Sequence, residues 1–250
     1  MTKKVKRTLF YSAAAVFLLL SYVVILYAQG YKYSFSEGKF QRTGAIALKA
    51  NAGAKIFLDD KLQGDTSFFG STYSIDRLLP GAYKITVQKD GYASWQKTVA
   101  VEEGFVTDFP NILLLPEEGE EEQKLFEEVG LLFKETGPSN TASLSQEILS
   151  QIPNDIKGSQ LSENKNKLAW WTNNEIWILW LNDQNYQPFY KKGDKELITR
   201  FAQPIQNMVW FRGEDHLVLE LEAHDSKNRP YSVYKVTEID KRGGLNIVEL

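Results

Sequence analysis

Twenty consecutive residues, Leu9 to Ala28, carry no charge and are almost unbroken Leu, Val, Ala, Phe and Tyr, within a wider uncharged stretch from Thr8 to Tyr31. At ~1.5 Å per residue a helix of that length covers roughly the ~30 Å hydrocarbon layer of a bilayer. Backbone polar groups in lipid must be paired within their own segment, so the stretch is predicted to be helical. Leu9, Phe10, Val16, Phe17, Leu18, Leu19, Leu20, Val23, Val24, Ile25 and Leu26 are its expected membrane-anchoring side chains. Tyr11, Tyr22, Tyr27 and Tyr31 gather toward its two ends, as an interfacial belt does. Lys3, Lys4, Lys6 and Arg7 precede it and mark the cytoplasmic side. The expectation is an uncleaved single-pass anchor, with residues 1–31 forming a cytoplasmic stub and the span. A cleaved signal peptide is the competing reading. Its apolar region usually runs only about 7 to 15 residues before small residues at a cleavage site, and Ala28-Gln29-Gly30 fits that poorly.

The chain as a whole has the composition of a folded protein, 43% hydrophobic and 24% charged over 250 residues. The absence of Cys excludes a disulfide scaffold, a Cys-ligated zinc site, a thiol nucleophile and a lipidated cysteine. With 29 basic against 32 acidic side chains, no global positive field exists to attract nucleic acid.

Between residues 44 and 116 the apolar pattern turns to period two. Ile56 and Leu58 alternate with Lys55 and Phe57, Tyr83, Ile85 and Val87 with Lys84 and Thr86, and Val99 and Val101 with Thr98 and Ala100. That is the spacing of half-buried strands. Asp59-Asp60-Lys61, Leu79-Pro80-Gly81 and Asp90-Gly91 sit between the runs as turns. The prediction is an antiparallel sheet or small sandwich of hairpins.

Asn51-Ala52-Gly53-Ala54-Lys55-Ile56-Phe57-Leu58-Asp59-Asp60-Lys61, then Gly64, Leu79-Pro80-Gly81-Ala82-Tyr83-Lys84-Ile85-Thr86-Val87, Lys89-Asp90-Gly91-Tyr92 and Trp95 together resemble the PEGA domain of bacterial and archaeal surface proteins. Gly53 and Ala54 match the motif that names the family, whereas Asn51 and Ala52 replace its Pro and Glu. The resemblance implies a small β-sandwich, a non-catalytic spacer or adhesion role, and a bacterial cell envelope. Asp59, Asp60 and Asp65 are oxygen donors of the kind a hard cation takes, but their expected role is polar turns. Tyr92 and Trp95 offer rings for sugar stacking, with packing over the sandwich end as the plainer expectation.

From Glu117 to Glu128 seven Glu face a single Lys, and self-repulsion predicts an extended tether within an irregular region spanning 117–158. Leu125 to Phe133 has enough apolar residues for a short strand or helix, Gly137 to Ser145 is loop-like, and Leu144 to Ile152 suits a helical turn. Beyond it, 159–250 holds Trp170, Trp171, Trp177, Trp180 and Trp210, five of the six Trp. Strand-like runs cover Lys167 to Thr172, Glu175 to Leu181, Glu196 to Phe201, Ile205 to Phe211, His216 to Glu222, Tyr231 to Ile239 and Leu245 to Leu250. Leu168-Ala169-Trp170 aligns with Leu217-Val218-Leu219, and a period near 50 is the signature of propeller blades. Leu161 to Trp170 followed by Asn174-Glu175-Ile176-Trp177-Ile178 resembles the blade pattern of TolB-like propellers. Two blades make an incomplete propeller. The chain is then a fragment, residues 123–159 add a degenerate blade, or a partner closes the domain; alone, 159–250 is expected not to be self-sufficient.

No recognisable catalytic motif emerges. His216 and His224 are eight apart, which on one extended strand separates them by about 27 Å. No catalytic, cofactor-binding or metal residue is assigned. The expected class is mainly β: a transmembrane helix, a PEGA-like sandwich and propeller-like repeats. The expected role is a non-enzymatic envelope protein anchored in the cytoplasmic membrane, its amino end in the cytoplasm and its domains outside. It is expected to bind protein or glycan and no nucleic acid. The rivals are an enzyme or sensor whose active propeller portion lies beyond Leu250, and a structural spacer.

Overall fold

The computed structural model describes residues 2–67, 71–136 and 145–250. They form a mainly β chain with an apolar amino-terminal helix, and they divide into two compact units. One comprises Met1–Ala47, Ser74–Tyr83 and Ala100–Asp108, the other Leu48–Tyr73, Lys84–Val99 and Phe109–Leu250.

In the first unit, helix α1 (Lys3–Ala28) is long and apolar enough to cross a membrane, and none of its residues is buried. Gly30, at φ +84°, lets the chain turn out of the helix, and the Thr43 hydroxyl donates to the Gly30 carbonyl at 2.7 Å. A hairpin that the periodicity did not foretell follows at once: β1 (Tyr31–Ser34) pairs with β2 (Lys39–Arg42), Tyr33 opposite Phe40.

The period-two region holds β3 (Gly44–Lys49), β4 (Lys55–Leu58), β5 (Lys61–Asp65), β6 (Thr72–Leu78), β7 (Gly81–Gln88), β8 (Trp95–Val101) and β9 (Val106–Phe109). They form a three-stranded sheet in the order β6-β3-β9 and a four-stranded sheet in the order β5-β4-β7-β8. Burial along β8 alternates perfectly, whereas Ile85, Thr86 and Val87 of β7 are buried in succession. Asp59 and Asp60 occupy the two-residue turn between β4 and β5 at φ 48° and 62°. That geometry matches the right-handed twist of a hairpin and suits Asp. Asp59 Oδ1 accepts from the Lys84 amide at 3.0 Å and Asp60 Oδ1 from Lys84 Nζ at 2.9 Å, so these two carboxylates serve the turn. Asp65 closes β5.

In the second unit the expected tether is instead a helix, α2 (Gly119–Thr136), followed by the short α3 (Gln146–Leu149). Eight residues of the loop-like stretch, 137–144, lie outside the described residues, and with them Leu144 of the expected helical turn. Glu120, Glu121 and Glu122 fall in the first turn of α2, where the positive end of the helix dipole favours acid. Leu125 and Val129, one turn apart, are buried. The like charge that argued for extension is therefore absorbed at one end of a helix whose apolar stripe is covered. Among the described residues of 123–159, α2 and α3 are helical and only Gly158 and Ser159 are strand, so no degenerate blade forms there.

The remaining strands form two four-stranded antiparallel meanders, β10 (Gly158–Leu161), β11 (Lys167–Trp171), β12 (Glu175–Trp180), β13 (Lys195–Arg200) and β14 (Ile205–Trp210), β15 (His216–His224), β16 (Pro230–Glu238), β17 (Ile247–Glu249). No closed barrel or propeller occurs among the described residues. Ala169, Trp171, Ile178 and Trp180 of the first meander share one core with Met208, Leu217, Leu219 and Leu221 of the second. The far side of the second meander, Val209, Phe211, Val218 and Val236, is covered by Leu125 and Val129 of α2. The far side of the first, Leu168, Trp170 and Leu179, is covered by Ile148 and Ile152. Each such buried aliphatic contributes roughly 1.5–3 kcal/mol. The faces that two bare blades would expose are thus lined by Leu125 and Val129 of α2 on one side and by Ile148, Ile152 and Ile156 on the other.

Candidate functional site

Strand β8 is an edge strand, and its alternation puts Trp95, Lys97 and Val99 on one buried face. A lysine cannot sit there alone, because an uncompensated charge out of water costs several kcal/mol. Its partner comes from the end of β16. Lys97 Nζ lies 2.8 Å from Glu238 Oε1, the side chains being 0% and 8% exposed. The ammonium also donates to the Asp240 carbonyl and, at 2.9 Å, to that of Gly244. Glu238 Oε2 accepts from the Trp95 indole at 3.0 Å, and Oε1 accepts the Asn246 amide and side chain, each at 2.8 Å. Asn246 Oδ1 in turn accepts the Gln96 amide at 3.1 Å. The Thr98 amide donates to the Gly243 carbonyl at 3.0 Å, and a Cβ on Gly243, itself at φ +68°, would run into the Thr98 carbonyl. Strand β8 is thereby pinned to the β16–β17 loop.

A second buried cation ties the two meanders. Lys167 Nζ meets Asp215 Oδ1 at 2.7 Å, the Tyr186 hydroxyl at 2.9 Å and the Glu214 carbonyl at 3.0 Å. Tyr186 donates to Asp215 Oδ1 at 2.8 Å, and Asn111 donates to Oδ2. Burial and the Asp215 charge hold the Tyr186 hydroxyl well above the usual phenol range, so it stays protonated.

Between these two networks lies a shallow cleft whose cavity is small, about 30 Å³, beneath a mouth open to solvent. Its wall is aromatic. Trp180 stacks on Tyr190 with ring centres 3.6 Å apart and planes 18° apart, and Trp95 meets Phe109 edge-on at 5.3 Å. Pro188, after a cis bond, completes the rim, and Phe189 beside it is 68% exposed. The polar groups facing the cleft have internal partners: Gln184 accepts from the Trp180 indole at 3.0 Å, Tyr190 donates to Glu196, and Arg242 holds both Asp240 and Gln187. What this leaves on offer is aromatic surface and shape, not a poised acid or base.

Residues 46–112 match the PEGA domain. No curated protein is significantly similar to the chain. The matched stretch contains Trp95 and Lys97, so strand β8 falls within it.

The PEGA residues singled out in sequence divide between packing and turn roles. Trp95 is 4% exposed and spends its indole on Glu238, which removes it from any sugar-stacking face. The Tyr92 hydroxyl donates to Glu121 of α2, and Lys89 lies 4.1 Å from its ring centre. His216 and His224 stand at opposite ends of β15. Burial pushes the His216 imidazole down to about 4, outweighing the neighbouring Asp215. No group of three or more His, Cys, Asp or Glu able to hold a metal occurs among the described residues. The anchoring residues all lie on α1, ten of the eleven exposed and Leu26 half-buried. The buried lysines escaped the sequence reading, although one signal existed: period two through Trp95, Val99 and Val101 places Lys97 inward, and an inward lysine demands a carboxylate.

Proposed function

We propose that this is a single-pass protein of the bacterial cytoplasmic membrane, with its PEGA domain and paired meanders held outside the cytoplasm as a non-catalytic binding scaffold for protein or glycan. The observation that carries this reading is α1: an apolar helix with no buried residue, preceded by Lys3, Lys4, Lys6 and Arg7. Apolar surface on that scale is sustained by lipid, and the cations set its orientation. The PEGA match favours a surface or binding module, and the aromatic rim of the small cleft, with its polar groups paired internally, favours surface recognition over proton transfer. The two meanders, with β11 and β15 starting 49 residues apart, support the likeness to TolB-type blades, here capped by helices.

The chain has no Cys, so single-cysteine variants report topology cleanly. In intact cells a membrane-impermeant maleimide should label Lys61→Cys and leave Thr2→Cys unlabelled until lysis. Labelling of Thr2→Cys alone would reverse the orientation. An intact-mass measurement lacking residues 1–30 would replace the anchor by a cleaved signal.

A further inference from the structure

The β1–β2 hairpin displays a partly exposed aromatic cluster. Phe35, at the turn, is 92% exposed, and Tyr33 and Phe40 are 39% and 36% exposed. Tyr33 meets Phe35 edge-on at 5.1 Å and Phe40 at 5.2 Å. The turn that presents Phe35 is tied down. Ser34, 2% exposed, pairs its hydroxyl with that of Ser36 at 3.0 Å and accepts the Glu37 amide at 3.3 Å, while its carbonyl accepts the Gly38 amide at 2.8 Å. The hairpin carries Lys32, Lys39 and Arg42; Glu37 pairs with Lys39 at 2.7 Å, Glu103 also acts on Lys39, and the Arg42 guanidinium packs at Gly104.

Only Gln29 and Gly30 separate this hairpin from α1, and a four-residue strand reaches about 13 Å. The base is fixed at the helix end: the Thr43 amide donates to the Gly30 carbonyl at 2.8 Å, and the Arg77 guanidinium lies 4.3 Å from the centre of the Tyr27 ring in the last turn of α1. Aromatic rings flanked by cations suit the boundary between acyl chains and lipid phosphates.

We infer that the β1–β2 hairpin is a second membrane contact: Phe35, with Tyr33 and Phe40, lies in the headgroup region of the outer leaflet, and Lys32, Lys39 and Arg42 face lipid phosphate. This rests on α1 being a membrane span. The hairpin fixes the stance of the chain on the bilayer, which a lone helix does not.

The test uses the full chain in vesicles of phosphatidylethanolamine and phosphatidylglycerol, with an environment-sensitive fluorophore on single cysteines. A label at Ser36→Cys should show blue-shifted emission and be quenched more by headgroup-level than by mid-chain nitroxide lipid. Adding Phe35→Ser should return it toward the emission of an aqueous control at Lys61→Cys. A label at Val16→Cys checks the span itself through mid-chain quenching. If Val16→Cys is quenched and Ser36→Cys behaves as in water, the hairpin inference is overturned and the anchor stands. If neither is quenched, both fall. Ser36→Cys quenching that Phe35→Ser leaves unchanged overturns the role given to the aromatic cluster.

Discussion

Replacing Lys97 with Met keeps the length of the side chain and removes its charge. Glu238 then remains 7% exposed with Trp95 and Asn246 as its donors but without a counter-charge. Removing one partner of a buried ion pair costs about 3–5 kcal/mol, because the other is left uncompensated. For a chain of this size about 1 kcal/mol corresponds to roughly 2–4 °C in Tm, so the expected loss is about 6–20 °C. The readout is the melting of the detergent-solubilised full chain, followed by Trp emission. Since Lys97 lies in the PEGA domain and Glu238 in the second meander, both regions should also become protease-sensitive together. Lys84→Met, which removes an ion pair exposed at both ends, is the control and should shift Tm by no more than a few degrees. A Lys97→Met chain that melts within 2 °C of the parent would refute the claim that β8 is pinned through this pair.

Two further outcomes follow from the same packing. Leu125→Ala on α2 removes a side chain packed with Val129, Phe211 and Val218 and should lower stability by about 2–5 kcal/mol in urea titrations, whereas a solvated tether would show no change. His216 is neutral when folded down to about pH 4, but its imidazole takes up a proton below about 6.5 when the chain unfolds. Stability should therefore be full above that pH and fall as pH drops from 6.5 to 4, by about 3 kcal/mol from this group. His216→Gln should flatten the dependence of Tm on pH across that window, and an unchanged slope would contradict the assignment.

Strands came through the sequence where one face meets a core and the other meets water, as in β8, and the Asp59-Asp60 turn was legible because few residue pairs suit its geometry. The hairpin at 31–42 was not, since its rings are exposed on both strands and no inward face imposes a period. The acidic first part of α2 was misread because charge was weighed as a sum, while Leu125 to Phe133 was legible as a short strand or helix. The position of the acids in its first turn and the i, i+4 spacing of Leu125 and Val129 carried the helical signal. The cleft was illegible for a different reason: it joins residues from Trp95 to Asp240, brought together by two buried lysines whose carboxylate partners are more than 40 residues away.

The central claim, a scaffold presented outside the membrane to hold a partner at the aromatic cleft, is tested most directly by a photoreactive amino acid in place of the exposed Phe189 in the otherwise native chain. Irradiation of intact cells should produce a crosslinked adduct to an envelope protein or glycan, and the same probe at Asp76, in the other unit, should not give it. Adducts formed solely with cytoplasmic proteins, or none at Phe189 while the chain is folded and at the membrane, would contradict the account.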